Sequence, residues 1–258
     1  MPKAVPKGPI RLIREPEPDA FYVIGADVAE NVPDGWFKTE RRGTEHEREG
    51  RADFSAAHVF EYDSREQVAE VHGRIDPDEY AVLLNALGLY YNTAHLAVEA
   101  VGVGQAVVSY LANTLFYPNL HYFQPRPNKP MNMNRPGFWT TGTGWYAKTE
   151  QVDCLRKHIR DWTWIPHTRE LIEECQQYEI DYTQKRSKRY SAQTGAHDDR
   201  VSAAMIGLRV MEHPQCAPPL KAEDDFHRRI VEAGIVPDIV PRETQEGEGQ
   251  RLTEWIHS

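Results

Sequence analysis

Residues 21–29, FYVIGADVA, form a short apolar stretch that carries one acid, Asp27, near its end. The aromatic and β-branched residues of this stretch favour a buried strand. A carboxylate beside such a strand is costly to bury unless a cation, a hydrogen-bond donor or a metal ion compensates it. Asp27 is therefore either a strand-end acid that faces solvent or pairs with an arginine, or a member of a site assembled at the edge of a sheet.

The segments after this strand predict a mixed α/β sheet with helices on its faces. Two more strands follow a polar, charged segment and complete a three-strand antiparallel meander. Strands and helices then alternate, which adds parallel strands to the sheet, and residues 126–145 indicate an exposed loop or hairpin insertion. The predicted strands are 21–29, 53–62, 67–75, 95–100 and 120–125, with two short strands beside a basic turn at 185–190, and the predicted helices are 76–93, 102–115, 149–162, 167–178 and 197–212.

Further acids stand out in the same way. Glu99 lies inside an apolar strand, and Asp198 and Asp199 follow His197 at the start of the last helix, in GAHDDRVSAA. Acids are common in a first helical turn, because free N–H groups and the helix dipole favour them, so the pair fits a cap as well as a ligand cluster. If the first and fourth strands are neighbours and the last helix packs on them, these acids converge with Asp27. Converging carboxylates favour Mg²⁺ or Mn²⁺, which catalyse phosphodiester hydrolysis, whereas zinc fits this oxygen set badly.

The charge distribution predicts that any contact with nucleic acid is confined to two basic segments. A net charge of −9 argues against a protein that coats nucleic acid without discrimination. Residues 211–258 hold 10 of the 39 acidic residues and 5 of the 30 Lys and Arg residues, so the rest of the chain is nearly balanced. Two loop-like basic segments with aromatic neighbours predict phosphate contacts or, alternatively, solvated loops. The candidate DNA-binding residues are Arg126, Lys129, Arg135, Lys185, Arg186, Lys188 and Arg189.

The rest of the sequence indicates the domain organisation and the cellular compartment of the protein. No apolar run is long enough to span a membrane, and the N-terminal residues lack the apolar stretch of a signal peptide. Three cysteines without a CxxC or Cys/His zinc spacing predict reduced thiols in a cytoplasmic protein. We expect three parts: a linker-like lead-in at 1–20, one folded domain at 21–213 and an acidic, partly flexible tail at 214–258.

Five strings in this order resemble the C-terminal nuclease domain of phage large terminases, the DNA-packaging motors of tailed phages. They are IGADVAE, DFSAAHVFE, VEAVGVG, the TGW turn before a helix and GAHDDRVSAAMIG, all within residues 20–212. The resemblance implies an RNase H-like fold. It also implies a Mg²⁺- or Mn²⁺-dependent endonuclease, holding one or two ions, that cuts concatemeric double-stranded viral DNA during packaging.

The resemblance also implies roles for the acids. Asp27 is the first metal ligand, Glu99 is a second acid that binds or orients the ions, and Asp199 is the essential helix ligand, with Asp198 a direct or water-mediated accessory. A helical wheel does not decide between Asp198 and Asp199, since both faces of the helix are apolar. His197 either positions a phosphate or water or is structural. The remaining candidate is Asp53, which either reaches the site from the side or is an ordinary turn acid.

The family implies partners as well: an ATPase domain in the full-length protein, a portal, a small terminase subunit and the host cytoplasm as location. The segment TGTGWYAKT at 141–149 lacks the GxxxxGK[ST] pattern, so no nucleotide is expected here. The chain is then an excised nuclease domain with an added Met1 or a stand-alone relative. Alternative functions are a Holliday-junction resolvase or RNase H-type nuclease of the same fold, and a non-catalytic module that docks on the portal or DNA.

Overall fold

The structure is a computed structural model that describes residues 8–29, 54–124, 132, 135–181, 189–192 and 198–218. For residues 179–181 and 189–192 only the backbone is described. The chain divides into two compact units, Met1–Ala217 and Pro218–Ser258, and all described residues except Pro218 belong to the first. None of the described helices is both long and apolar enough to cross a bilayer.

A five-stranded sheet forms the centre of this unit, in the order β1-β4-β3-β2-β5. Strands β1 to β4 pair with one another in antiparallel fashion, whereas β5 runs parallel to β2. The predicted mixed sheet, an antiparallel meander with a parallel addition, is therefore confirmed. The strands are β1 (Ile10–Leu12), β2 (Tyr22–Asp27), β3 (Ser55–Glu61), β4 (Gln67–Gly73) and β5 (His95–Val98).

The lead-in at 1–20 differs from its linker-like prediction. Residues Ile10–Leu12 pair with β4 as the edge strand β1. The arginine at the centre of this short strand, Arg11, also forms a salt bridge to Glu170 at 2.8 Å. This part of the lead-in is thus tied to the sheet by backbone and side-chain contacts.

The predicted strand at 120–125 is replaced by isolated bridges, from Leu120 to Leu96 and from Tyr122 to Pro136. The free edge of β5 is shared between two segments, because the His121 N–H donates to the Leu96 carbonyl and the Phe138 N–H donates to the Val98 carbonyl, both at 2.8 Å. Each segment covers only part of the edge, so neither forms a continuous ladder.

Helices cover both faces of the sheet, and alternation along β2 divides the core between them. Ile24 and Ala26 belong to the core under α1 and α2, whereas Val23 belongs to the core under α3, α4 and α5. Since side chains alternate along a strand, Asp27 lies on the same face as Val23. The helices are α1 (Pro77–Tyr90), α2 (Gly104–Asn113), α3 (Lys148–Arg160), α4 (Arg169–Gln177) and α5 (Asp199–Met211).

Helix α5 is buried on nearly all sides and lies directly on β2. A Cβ atom on Gly25 would lie 2.3 Å from the Gly207 nitrogen and 2.4 Å from the Ala203 carbonyl oxygen. A Cβ atom on Gly207 would lie 2.7 Å from the Phe60 ring. Glycine at both positions therefore permits the close approach that holds α5 against the strand ending in Asp27.

The two short strands predicted beside the basic turn form a separate hairpin after α4, whereas the predicted loop or hairpin insertion at 126–145 lies partly outside the described part of the chain. Strands β6 (Tyr178–Asp181) and β7 (Arg189–Ala192) pair in antiparallel fashion on the two sides of the predicted basic turn. The turn itself, residues 182–188, lies outside the described part of the chain.

Candidate functional site

Strands β2 and β5 end side by side and bring two acids together. Ala26 pairs with Val98, and the Glu99 N–H donates to the Ala26 carbonyl at 2.9 Å. Because the two strands are parallel, Asp27 and Glu99 lie at the same carboxyl edge of the sheet, where their carboxyl groups share a hydrogen bond. The predicted meeting of these two acids is thus present in the structure.

The first turn of α5 supplies the other two acids. Asp199 is the first residue of the helix, is 9% exposed, and its Oδ2 accepts a hydrogen bond from the Phe54 N–H at 3.4 Å. Asp198 is the N-cap residue, whose carbonyl accepts from the Ser202 N–H at 2.8 Å. Its side chain makes no capping hydrogen bond.

Burial and repulsion raise the pKa of Asp27 well above its usual range. Burial is the largest cause, followed by the charge of Glu99 and the hydrogen bond with Glu99; Lys148 opposes the rise, and Asp199 adds to it. Asp27, Glu99 and Asp199 therefore form one electrostatic group, which we call the open acidic cluster. A nearby divalent cation would reverse the repulsion that favours protonation of Asp27.

The described residues also hold a tighter group of ligand-type side chains. Among the described residues, the group that brings three ligand atoms within 4.8 Å of one another is Cys154, His158 and Glu212. The open acidic cluster does not reach that spacing.

Glu99 is held in place by the segment that follows it on the sheet edge. The Thr140 hydroxyl donates to Glu99 Oε1 at 2.6 Å, and the Gln151 amide donates to Thr140 Oγ1 at 3.3 Å and to the Tyr146 carbonyl at 3.1 Å. Phe138, two residues before Thr140, bridges to the Glu99 backbone. One carboxylate oxygen of Glu99 is therefore oriented by residues that sequence reasoning did not select.

Lys148 is the cation whose charge acts on Asp27. It is the first residue of α3, and its Nζ donates to the Ser202 hydroxyl, one turn into α5, at 3.1 Å. Its charge lowers the pKa of Asp27, against the effect of burial. Sequence reasoning considered the TGTGWYAKT segment as a turn before a helix and for nucleotide binding, and so missed the contact between Lys148 and Ser202. The signal in the sequence was a lysine at a helix start preceded by a glycine-rich turn.

Arg200, next to Asp199, enters a different group of acids. Its guanidinium donates to Glu70 at 3.3 Å and to Glu174 at 2.6 Å, and Thr168 donates to Glu70 at 2.6 Å. The buried His58 ring contacts the Arg200 carbonyl at 3.0 Å, and burial lowers the pKa of His58 to about 4. A neutral His58 whose Nδ1 contacts Gln67 therefore donates through Nε2 to Arg200.

Among the DNA-binding candidates, Arg135 is the one whose side chain is described. Its guanidinium lies 4.4 Å from the centre of the Phe123 ring and 4.1 Å from that of Trp139, the neighbour of Thr140. Of Arg189, only the backbone in β7 is described. The other predicted site residues lie outside the described part of the chain: Asp53, Arg126, Lys129, Lys185, Arg186, Lys188 and His197.

Comparison with known proteins finds a likeness in structure alone. No protein-family model and no curated protein matches the chain. The large terminase nuclease of thermophilic phage G20c superimposes with a TM-score of 0.54 at 16% identity, over 80% of this chain and 90% of that one. Its magnesium-bound form gives 0.54 at 17% identity, over 78% and 87%. The large terminase nuclease domain of Thermus phage P74-26 gives 0.53 at 16% identity, over 78% and 85%. The predicted resemblance is thereby confirmed at the level of the fold.

Proposed function

We propose that this chain is a metal-dependent endonuclease that cuts concatemeric double-stranded DNA during viral genome packaging. The observation that carries the proposal is the contact between the Asp27 and Glu99 carboxyl groups, with Asp199 close enough to raise the pKa of Asp27 further. Acids that repel one another at a partly buried edge cost stability, and binding of cations gives a reason for keeping them there. The fold shared with large terminase nucleases supports the same activity.

The donor atoms fit hard cations. Carboxylate oxygens suit Mg²⁺ or Mn²⁺ better than softer ions, and a G20c nuclease structure contains bound magnesium. When bound, two such ions activate a water molecule and stabilise the leaving oxygen in phosphodiester hydrolysis. One or two ions per chain are therefore proposed, with no nucleotide.

Each acid has a separate task in this proposal. Asp27 holds an ion from the strand and Asp199 holds one from the helix. Glu99, oriented by the Thr140 hydroxyl, binds or orients the ions. Asp198, the N-cap residue of α5, is a direct or water-mediated accessory. Two further residues, His197 as a contact to phosphate or water and Asp53 as a ligand from the side, stay predictions.

Basic residues complete the proposal by binding the DNA backbone. Phosphate contacts carry no sequence information, so we expect cutting with slight sequence preference. The net charge of −9 predicts weak affinity for duplex DNA at physiological salt. The proposed partners are an ATPase domain, a portal and a small terminase subunit in the host cytoplasm. The residues proposed to contact phosphate are Arg126, Lys129, Arg135, Lys185, Arg186, Lys188 and Arg189.

A cleavage assay on three substrates tests the proposed function. Supercoiled plasmid, a four-way junction and an RNA–DNA hybrid are incubated with the protein in Mn²⁺, in Mg²⁺ and in a chelator. We expect plasmid cutting in the presence of metal and none with the chelator. Cutting confined to the junction or to the hybrid would assign the protein to another nuclease class of this fold.

Substitutions then connect the activity to the open acidic cluster. Asp27→Asn and Asp199→Asn remove ligands without changing side-chain size, and we expect each to slow cutting by at least about 100-fold. The matched control is Asp78→Asn, an exposed acid in the first turn of α1, which should cut at the wild-type rate. Full activity in both cluster variants would leave a docking role as the better interpretation of the acids.

A further inference from the structure

A second cluster of ligand-type residues lies where the later turns of α3 meet the end of α5. One ligand atom each from Cys154, His158 and Glu212 lies within 4.8 Å of the other two. Cys154 and His158 are four positions apart on α3 and so share one helix face, and Glu212 is the C-cap residue of α5. We propose that these residues form a zinc-type metal site, with sulfur, nitrogen and oxygen ligands and a fourth position for water.

The proposed site is separate from the open acidic cluster. Asp199 begins α5, whereas Glu212 follows its last residue, and a helix of 13 residues spans about 20 Å. The ligand chemistry differs as well. Sulfur and imidazole nitrogen select borderline and softer ions such as Zn²⁺, whereas an all-carboxylate group selects Mg²⁺ or Mn²⁺. Sequence reasoning missed this group because Glu212 is distant in the chain and a lone C-x₃-H spacing resembles no common zinc motif.

The His158 ring supplies independent support for a bound ion. The residue is 4% exposed, and its Nε2 has no hydrogen-bond partner among the described residues. Its Nδ1 contacts the Thr163 hydroxyl at 2.7 Å. A buried imidazole nitrogen without a partner is costly, and a metal ion would satisfy it. A hydrogen bond from the other ring nitrogen is the usual device that orients a metal-binding histidine, and Thr163 occupies that position.

Two cations contact Glu212, and the one on Oε1 is exposed enough for a metal ion to replace it. Arg209 is 9% exposed and donates to Glu212 Oε2 at 2.7 Å, while its guanidinium also lies 4.3 Å from the Trp145 ring. This packed contact orients the carboxylate. Lys157 contacts Glu212 Oε1 at 3.3 Å through a side chain that is 57% exposed. Because exposed ion pairs of this kind contribute little, an ion can displace Lys157 from Oε1.

An ion at this position would connect α3 to the C-terminal end of α5. The N-terminal end of the same helix carries Asp198 and Asp199. Zinc binding would therefore stabilise the position of the helix that presents the acids, without taking part in hydrolysis. This inference does not depend on the proposed nuclease activity.

Cobalt substitution tests the proposal with a signal that the open acidic cluster cannot produce. The full chain is freed of metal with a chelator and titrated with Co²⁺, while thiolate-to-cobalt charge-transfer absorption is recorded. We expect about one thiolate-bound ion per chain in the wild type, displaced by Zn²⁺. Cys154→Ser should abolish the absorption, and Glu212→Gln and Thr163→Val should weaken Co²⁺ binding by roughly 10- to 100-fold.

Two controls keep the test specific. Cys175→Ser removes another free cysteine, on α4, and Asp27→Asn removes a member of the open acidic cluster; both should keep the full absorption. Far-UV circular dichroism checks the fold of each variant, and Glu212→Gln serves as the surface variant if Cys154→Ser fails to fold. No charge-transfer absorption in the wild type, or absorption that survives Cys154→Ser or is unaffected by Glu212→Gln, would overturn the proposal.

Discussion

Two groups of acids meet the first turn of α5, and only one of them is neutralised by a cation of the protein. Glu70 and Glu174 are both bound by one guanidinium, that of Arg200, at 3.3 and 2.6 Å. Burial raises the pKa of Glu174, and its contacts with Arg200 oppose that rise. Asp27 and Glu99, by contrast, take part in no ion pair among the described residues; the charge of Lys148 lowers the pKa of Asp27, and the Val28 N–H donates to Asp27 Oδ1 at 3.0 Å.

The difference distinguishes an acid group that stabilises the fold from one that we propose to bind divalent cations. Adjacent residues of α5, Asp199 and Arg200, serve the two groups, because successive side chains on a helix point about 100° apart. In the group around Arg200, both carboxylates already contact a cation of the protein, and these contacts hold the start of helix α5. The open acidic cluster is left with excess negative charge that a divalent cation would neutralise.

Removing Arg200 should give the largest change in stability. Arg200→Met leaves Glu70 and Glu174 buried without their cation, which costs about 3–5 kcal/mol when a buried pair is broken. Urea unfolding in metal-free buffer measures the loss. Arg160→Met removes an arginine of the same charge from an exposed pair with Asp161, and its unfolding curve should match the wild type. Equal unfolding curves for both variants would contradict the structural role assigned to Arg200.

Gly25→Ala should move helix α5 away from the strand that ends at Asp27. The new Cβ atom meets backbone atoms of Ala203 and Gly207, so the clash cannot be relieved by rotating a side chain. We expect a loss of about 1–3 kcal/mol or more in the free energy of unfolding, together with a large drop in DNA cutting. Gly8→Ala, whose added Cβ atom has nothing within 4 Å, is the matched control. Retained cutting in Gly25→Ala would show that this close contact does not position Asp199.

The sequence was sufficient for the elements that carry the acids but not for the contacts around them. Apolar runs predicted the strand that ends at Asp27 and the strand that contains Glu99. The order of the five sequence motifs that resemble terminase nucleases predicted the fold. The split edge of β5 was missed, since residues 120–125 have a strand-like pattern and only tertiary pairing shows that Phe138 shares the edge. Thr140 and Lys148 were missed because a single hydroxyl in a loop or ammonium at a helix start has no periodicity, and its partner is set by folding.

Thr140→Val tests how the open acidic cluster is oriented. The substitution keeps the side-chain shape and removes the hydroxyl that donates to Glu99 Oε1 at 2.6 Å. Loss of a partner that orients a metal ligand typically costs 10–100-fold, so the Mn²⁺ concentration needed for half-maximal cutting should rise by about that factor. The neighbouring Thr141, which bonds the Thr143 carbonyl instead, provides the control as Thr141→Val. Identical Mn²⁺ dependence in both variants would remove Thr140 from the site.

The smallest expected effect is a difference in the pH dependence of stability without metal. The pKa of Asp27 is raised in the folded protein above its ordinary value of 3.8, so the folded state binds this proton more tightly than the unfolded state does. The stability from Asp27 is therefore fully present below pH 3.8 and is lost as the pH rises through the raised pKa. Each pKa unit corresponds to about 1.4 kcal/mol, and each kcal/mol shifts Tm by roughly 2–4 °C.

Thermal unfolding of the wild type and Asp27→Asn from pH 4 to pH 8, in a chelator, measures this difference. Other carboxyls act in the opposite direction; a hydrogen bond from Arg11 lowers the pKa of Glu170 to about 2, for example, and both proteins share that contribution. The Tm of Asp27→Asn should therefore rise relative to the wild type as the pH increases, and added Mn²⁺ should close the gap by stabilising only the wild type. Parallel Tm curves would mean that the neighbours of Asp27 do not raise its pKa. That result would contradict the proposed difference between the two acid groups.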